Sequence, residues 1–571
     1  MQPPLPRIMA GDRRALFARL VANGFAQAFV GLASARLTMH AFSLMVAARS
    51  PDAVDLAVVA AALCACALAL GWLRARERVD AERMGQGYAR ELRSVLFDQL
   101  GRLSLRALQL RRRGSLMLRF VGDLKSFRQW LSLGLSRLTV STVSTTAALL
   151  GLAVIDAALA ATALAVLLGG TALTLRLGTR AQASVRLARR RQARLAANLG
   201  EKLASMPVVQ LFGQIRRERQ RLDRQGARLE GAMVDQARAQ ARLRSSAEVT
   251  AHVAAAAVLV VGVLQVASGT ATVPQIAAAM TLVGLMVPAL RDLGLVHSYY
   301  TAATVSRERI CSFLAQPVLP DSVPPTLGLI AVRGSVEFRD VSLGQSLSGF
   351  SATAAPGKIT AIIGPNGAGK STLLALAARQ LDPDCGSVLI DGQALSSVTI
   401  ASVRRSVGMV GANLPLLRGS LERNLRYRWP NAPEDEVARV RRLCRIDEIV
   451  ASLPAGARFE VQEGGANLSL GQRQRISLAR ALLGNPAVLL LDEADVNLDQ
   501  QASRILDDVL RSHGGTVLMV THCFERAARA DSVWVLNQGR LMAVGSPHEV
   551  LSDPLFQSLL VPERSEEREA A

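Results

Sequence analysis

Residues Gly364, Pro365, Asn366, Gly367, Ala368, Gly369, Lys370, Ser371 and Thr372 fit the pattern G-x-x-x-x-G-K-[ST] in full. This spacing suits a phosphate cradle. The glycines allow a tight backbone turn, so that successive N–H groups point at one anion. The helix start that follows adds favourable partial charge. Lys370 reaches the β- and γ-phosphates of a nucleotide, and Ser371 supplies a hydroxyl ligand for Mg²⁺. The flanks agree, with the apolar strand KITAIIG before the motif and the apolar helix STLLALAAR after it. Further along, VLLLDEAD (488–495) ends an apolar run in Asp492, a second oxygen ligand for Mg²⁺. Glu493 follows directly, where a carboxylate can polarise an attacking water. Taken alone, either segment could be a chance turn or a buried strand with a charged end. Their pairing makes a phosphate-transfer site the better reading.

Short β-type runs (VEFRDVS, KITAIIG, AVLLLDE) alternate with helical stretches from 331 to 558, predicting an α/β domain with a largely parallel sheet. Ahead of it, QPVLPDSVPPTLG carries Pro317, Pro320, Pro324 and Pro325, so 316–330 reads as a linker. The tail 559–571 is charged and expected to be disordered.

The first 315 residues have another texture. Ala, Leu and Val dominate, half of the whole chain is hydrophobic, and only 4% is aromatic. Apolar runs of membrane-spanning length recur at 19–48, 53–73, 134–155, 157–177, 247–268 and 273–297. These predict an all-α six-helix transmembrane domain over 1–315. The connections 49–52, 156 and 268–272 are very short. Segments 74–133 and 178–246 are long and carry Arg111-Arg112-Arg113, Arg189-Arg190-Arg191 and Arg216-Arg217. By the positive-inside rule the long segments are cytoplasmic, which also puts both termini inside. Leu92, Val95, Leu96, Leu100 and Leu103 fall at helical spacing, so the long segments read as helices continuing beyond the bilayer. The net charge of +21 is therefore largely topological, and no nucleic-acid partner is expected. No cleaved leader is expected at the N-terminus. The six cysteines show neither metal-site nor disulfide spacing.

Between the two phosphate-site motifs lies Asn467-Leu468-Ser469-Leu470-Gly471-Gln472-Arg473-Gln474-Arg475. It resembles the signature of the ABC ATPases, and with the Walker motifs the chain resembles a half-size ABC exporter with its membrane domain first. The resemblance covers nearly the whole chain. It includes RELRSVLFDQLGRLSL and EKLASMPVVQLFGQIRRER, which are similar to exporter coupling regions. It implies a multi-domain protein, a six-helix transmembrane domain followed by an ABC-type P-loop NTPase domain, working as a homodimer or heterodimer with a second half-transporter. It implies ATP and Mg²⁺ as ligands, with two ATP molecules sandwiched between ATP-binding domains. Ser469, Gly471 and Gln472 would meet the γ-phosphate held by the opposite subunit, Asp499 would end the D-loop, and His522 would contact the γ-phosphate. Glu493, His522 and Lys370 are the expected catalytic residues. The implied activity is ATP-driven export of an amphipathic or lipid-like small molecule by alternating access. The Arg-rich, Lys-poor composition points to the inner (plasma) membrane of a bacterium, with the ATP-binding domain in the cytoplasm.

Three positions depart from the family pattern. Ala412 stands where the family has a Gln that touches Mg²⁺ and water, with Asn413 next to it. The stretch VSLGQSLSG lacks the aromatic residue that the family stacks on adenine. Leu470 replaces the first Gly of the signature pair, a mild change. The first two losses motivate an alternative, a weakly or non-hydrolysing regulatory half of a heterodimer. Intact Glu493 and His522 oppose it. Within the spans, Arg36 and His40 lie one turn apart on one helix face, and His252 sits near the start of the fifth. Polar helix–helix contact or snorkelling is the expected role of Arg36, and facing a cavity it would suit an anionic cargo. Asp156 is expected to be a turn residue without further function.

Overall fold

A computed structural model describes residues 5–47, 53–109, 116–117, 119–319, 328–330, 332–411, 414–495, 498, 500–553 and 556. Several sequence expectations fall elsewhere: Arg111 to Arg113, most of the 316–330 linker, Ala412, Asn413, Asn497, Asp499 and the tail from 559 lie outside the described residues. The chain divides into two units. One runs to Pro317 and the other begins at Val318. The second also takes Ser104–Leu108, a short segment enclosed in sequence by the first.

Ala- and Leu-rich runs cost little entropy to wind into helices. The first unit is accordingly built of long helices: Asp12–Ala47, Ala53–Arg102, Ser136–Ile155, Ala157–Ala204, Ile215–Ala267 and Val273–Leu314. Among the described residues, six helical stretches are long and apolar enough to cross a membrane, one over each of the six segments expected from the sequence. Burial shows how they use their apolar surface. Ala35, Leu152, Ala163, Val258 and Leu282 form an inner core, whereas Leu68 is 76% and Val154 85% exposed. Helices apolar on both inner and outer faces suit a hydrocarbon solvent, where packing of small residues holds the bundle.

Polar residues in this unit close the helix ends and tie neighbours together. Asp156 caps helix Ala157–Ala204, its Oδ1 accepting from Ala158 N–H at 2.8 Å and Leu159 N–H at 2.9 Å. Gln265 Nε2 donates to the same carboxylate at 3.2 Å. Asn23 Nδ2 donates to the Leu73 carbonyl at 3.0 Å, and Gln27 Nε2 to Glu77 Oε2 at 2.8 Å. Polar helix–helix contact is thus the observed use of the polar groups around the first span. Arg36, His40 and His252 are exposed on the single chain. The lead-in to the third span is wound as π-helix at Arg119–Asp123 and Trp130–Leu135, a distortion frequent at functional sites. The described residues of the long Arg-rich segments are largely helical, as the spacing predicts, with Leu92, Leu96 and Leu103 buried.

The second unit holds two sheets. In the six-stranded one the order is Arg540–Gly545, Ser532–Asn537, Ile359–Ile363, Thr516–Val520, Val488–Asp492 and Val407–Gly411. All neighbours are parallel except the outer pair Ser532–Asn537 with Arg540–Gly545. The runs ITAII, VLLLD and TVLMV are mostly apolar, as central strands covered on both faces must be. The second sheet, Leu347–Ala354, Val336–Leu343, Cys385–Ile390 and Gln393–Ala394, is antiparallel throughout. The expectation of one largely parallel sheet therefore covers only part of the domain. Phe338, Phe350 and Trp534 pack edge-on or tilted with ring centroids 5.5–6.1 Å apart, inside the core that joins the two sheets.

Asp391 fastens the entry to the antiparallel sheet. Its carboxylate accepts N–H groups from Val332, Arg333 and Gly334 at 2.9 Å and from Ser335 at 2.7 Å. Burial pushes this carboxyl up, but the hydrogen bonds from Gly334, Arg333 and Ser335 outweigh it and hold the acid below its ordinary range. A depressed folded pKa stabilises at pH above the unfolded value and is lost as pH falls through the folded one. Asp391→Asn is expected to destabilise this domain by about 1–3 kcal/mol at neutral pH. Thermal unfolding across pH 2–7 checks this (on the order of the unfolded Asp value, about 3.9, marks where the effect should begin to fade). The two proteins should differ at neutral pH and converge in acid. An equal gap at every pH would show that Asp391 acts through shape alone.

Candidate nucleotide site

The parallel strands end together, and the site is assembled where they end. Val520 pairs with Asp492, and Asp492 with Gly411. Ligands of open α/β sheets bind outside these carboxyl ends. Strand Ile359–Ile363 feeds the phosphate loop, and helix Lys370–Ala377 leaves it. Two of its glycines are sterically required. Gly364 has φ +147° and Gly369 φ +99°. A Cβ on Gly364 would lie 2.1 Å from the Leu536 carbonyl oxygen, and one on Gly369 2.5 Å from that of Ser346. Lys370 is buried, and its Nζ donates to the Gly364 carbonyl at 2.7 Å and the Pro365 carbonyl at 3.0 Å. Burial lowers its pKa, while the Glu493 and Asp492 carboxylates work in the opposite direction.

The structure brings the other expected residues to the loop. Ser371 Oγ donates to Asp492 Oδ1 at 2.9 Å. Burial raises the Asp492 carboxyl, the Ser371 hydrogen bond lowers it, and Glu493 beside it raises it again. A hydroxyl and a carboxylate already side by side are hard oxygen donors of the kind Mg²⁺ takes along with water and phosphate, so these two residues fit the ion. Glu493 adopts φ +52°, and its N–H donates to the Val520 carbonyl at 3.2 Å. That turn carries its carboxylate toward the next strand, where Glu493 Oε1 lies 3.5 Å from His522 Nε2. Both side chains remain open to solvent, as a group that must meet water requires.

Ser469, Gly471 and Gln472 stand at a different place. Ser469 caps helix Leu470–Leu482 in a capping box, with Gln472 N–H donating to Ser469 Oγ at 3.1 Å and Ser469 N–H to Gln472 Oε1 at 3.0 Å. Among the described residues, no hydrogen bond joins this helix start to 364–372. Leu470 is exposed and Gly471 buried, so the Leu470 departure points its side chain away from the helix packing.

Sequence reasoning missed the residues that hold the turn at Glu493. Gln474 Nε2 donates to the Ala494 carbonyl at 2.6 Å. Asp495 accepts from the Thr521 hydroxyl and lies 3.5 Å from Arg526. Arg526 also reaches Asp507 at 3.0 Å. Both members of the Arg526–Asp495 pair are buried. Asp495 and Gln474 lie next to the quoted motifs, but nothing in their spacing names the partners they hold. Removing one partner of a buried pair strands the other's charge. Arg526→Leu is therefore expected to destabilise the domain by about 3 kcal/mol. Faster amide exchange in strand Val488–Asp492 would report it, and unchanged exchange there would contradict it.

Among the described residues, two cavities of the membrane unit stand out. One, of about 470 Å³, is lined by Trp130, Thr142, Thr174, Thr250, His297 and Tyr300 among apolar neighbours. The Trp130 and Tyr300 rings meet edge-on at 5.1 Å. The other, of about 270 Å³, is polar and includes Arg74, Glu77, Arg78, Arg137 and Asp292. Arg137 Nη1 pairs with Asp292 at 2.9 Å.

Comparison with known proteins covers both halves. Residues 15–290 match the family model described as ABC transporter transmembrane region, and 347–496 match the one described as ABC transporter. The ATP-dependent lipid A-core flippase of Xanthomonas oryzae pv. oryzae is 31% identical over 388 residues, 64% of each chain. That of Xylella fastidiosa is 35% identical over 290 residues, 49% of each. The chain thus spans less than two thirds of these relatives' length. An uncharacterized ABC transporter ATP-binding protein of Bacillus subtilis is 26% identical over 82% of this chain and 79% of its own. Among solved structures, a bacterial Atm1-family ABC exporter with ATP bound superposes with a TM-score of 0.86 at 26% identity, over 98% of this chain and 99% of its own.

Proposed function

The chain belongs to the ABC transporter family, and from that premise we propose that it is the exporter-type half of an ATP-driven transporter of an amphipathic, lipid-like molecule. The observation that carries the hydrolytic part is the joining of Lys370, Ser371, Asp492, Glu493 and His522 around one phosphate loop. Lys370 and the loop N–H groups hold the β- and γ-phosphates. Mg²⁺, held by Ser371 and Asp492, would supply charge neutralisation at the phosphates. Glu493 orients the attacking water and takes its proton. His522 keeps the Glu493 carboxylate in place and faces the γ-phosphate. The contact between Glu493 and His522 favours a hydrolysing protein over a purely regulatory one.

The site is incomplete in one chain. Ser469, Gly471 and Gln472 present a helix start with N–H groups suited to an anion, yet none bonds to the loop of the same chain. The family arrangement supplies the reason: two chains sandwich two ATP molecules, and each signature faces the other chain's loop. Asp499 and the remaining signature contacts belong to the same reading. Six apolar helices and the Arg-rich long connections support an inner-membrane position with the ATP-binding domain, 331–558, in the cytoplasm. The 1–315 segment then forms the membrane domain.

For the cargo, the two cavities of the membrane unit suit an amphipathic molecule. The aromatic and threonine-lined cavity offers room for apolar parts, and the Arg74, Arg78 and Arg137 cavity offers counter-charge for an anionic headgroup. The Xanthomonas and Xylella relatives bear the name lipid A-core flippase. The test is ATP turnover by the purified full chain in liposomes, with and without lipid A-core glycolipid. Stimulated turnover supports the reading. Basal turnover unaffected by the glycolipid would remove this cargo, and no turnover in any lipid would remove the hydrolytic assignment.

A further inference from the structure

The stretch VSLGQSLSG, where the family carries its adenine-stacking aromatic residue, folds as a tight hairpin. Leu343 pairs with Leu347, and the Ser346 N–H closes back on the Leu343 carbonyl at 2.9 Å. Gly344, Gln345 and Ser346 are left at the tip. This tip rests on the phosphate loop, since a Cβ on Gly369 would meet the Ser346 carbonyl oxygen. A base attached to phosphates in the loop would therefore pass beside a tip that has no ring to offer it.

Another group is present there. A Cβ built on Gly344 would lie 3.5 Å from Arg106 Nη1 and 3.8 Å from Nη2. The guanidinium thus stands in van der Waals contact with the point where a tip side chain would begin. Arg106 belongs to Ser104–Leu108, the segment grouped with the second unit, and the Leu105 N–H donates to the Gln380 carbonyl at 3.2 Å, just past the helix that leaves the phosphate loop. The Gly344 N–H is held by Asp384 Oδ2 at 2.7 Å, which fixes the tip beside it. Arg106 is exposed, and among the described residues its side chain forms no hydrogen bond or ion pair. A guanidinium is planar, permanently charged and weakly hydrated, and it stacks on aromatic faces.

We propose that Arg106 supplies the planar partner for the adenine of bound ATP, in place of the missing aromatic side chain. This rests on the ATP-binding reading above. It makes a residue encoded between two membrane-crossing helices into a specificity determinant of the nucleotide site. A positively charged group beside the loop could instead act on the phosphates, so the test separates base from phosphate. Binding of ATP and of inorganic tripolyphosphate is titrated calorimetrically on the full chain in lipid nanodiscs. Arg106→Ala is expected to weaken ATP about threefold to tenfold and to leave tripolyphosphate unchanged. Arg106→Trp should restore ATP affinity, and Arg106→Lys, which keeps charge without a plane, should not. Equal loss for ATP and tripolyphosphate, or unchanged ATP affinity in Arg106→Ala, would overturn the assignment. If the unaltered chain bound neither ligand, the nucleotide reading itself would fail, an outcome distinct from either.

Discussion

Changing Glu493 to Gln is expected to lower ATP turnover by about two to four orders of magnitude while nucleotide binding survives. Glutamine has the shape of glutamate and can keep the approach to His522, now 3.5 Å from Oε1. It cannot take a proton from water. The phosphate loop should not respond, because its fixed parts lie elsewhere: Lys370 on the Gly364 and Pro365 carbonyls, and Ser371 on Asp492. The turn that presents residue 493 is also independent of its carboxylate. It is set by φ +52° and by the N–H donated to the Val520 carbonyl. Phosphate release and retained nucleotide are measured on the same preparation. Loss of turnover with ATP still bound supports Glu493 as the base. Turnover within threefold of the unaltered protein would assign the proton to another group. His522→Ala serves as the companion variant, with a smaller loss expected because the Glu493 carboxylate, the group that takes the proton, remains.

The sequence exposed the phosphate site well because its requirements are local. A tight turn, a lysine and a hydroxyl must be contiguous, so Gly364 to Thr372 carry their geometry in their order. Asp492 and Glu493 were legible for the same reason, at the end of an apolar strand. The membrane helices were legible because hydrocarbon accepts only long apolar segments. What escaped depends on pairs distant in sequence. Asp391 fastens residues 332–335 from more than fifty positions away. Arg526 reaches back to Asp495, and neither residue carries a pattern of its own. The π-helical turns at Arg119–Asp123 and Trp130–Leu135 keep an ordinary helical composition, so spacing alone reads them as α-helix. The antiparallel sheet was hidden because short β runs do not announce their pairing partners. Arg106 was one arginine among many until the hairpin tip was placed beside it.

Lys370→Ala should weaken ATP binding about a hundredfold, the loss expected when a charge-assisted contact disappears from a buried site. The ammonium is held by two carbonyls of its own loop. These contacts keep the loop open around a positive centre, so alanine removes the phosphate counter-charge and the loop's internal brace together. Lys370→Arg should not rescue it, because a broad guanidinium fork does not fit a buried position built for a point charge. The titration of Lys370 gives an independent check. Burial lowers its pKa and outweighs the Glu493 and Asp492 carboxylates. A lowered lysine loses its proton as pH rises at values below the ordinary one of about 10.4. ATP affinity of the unaltered chain should therefore fall in the alkaline range before ordinary lysines titrate, while the residual affinity of Lys370→Ala stays flat there. Parallel decline in both proteins would mean that another group governs the alkaline limb. Full binding by Lys370→Ala would mean that the phosphates rest on the loop N–H groups alone, and the catalytic assignment would then have to be rebuilt from Asp492 and Glu493.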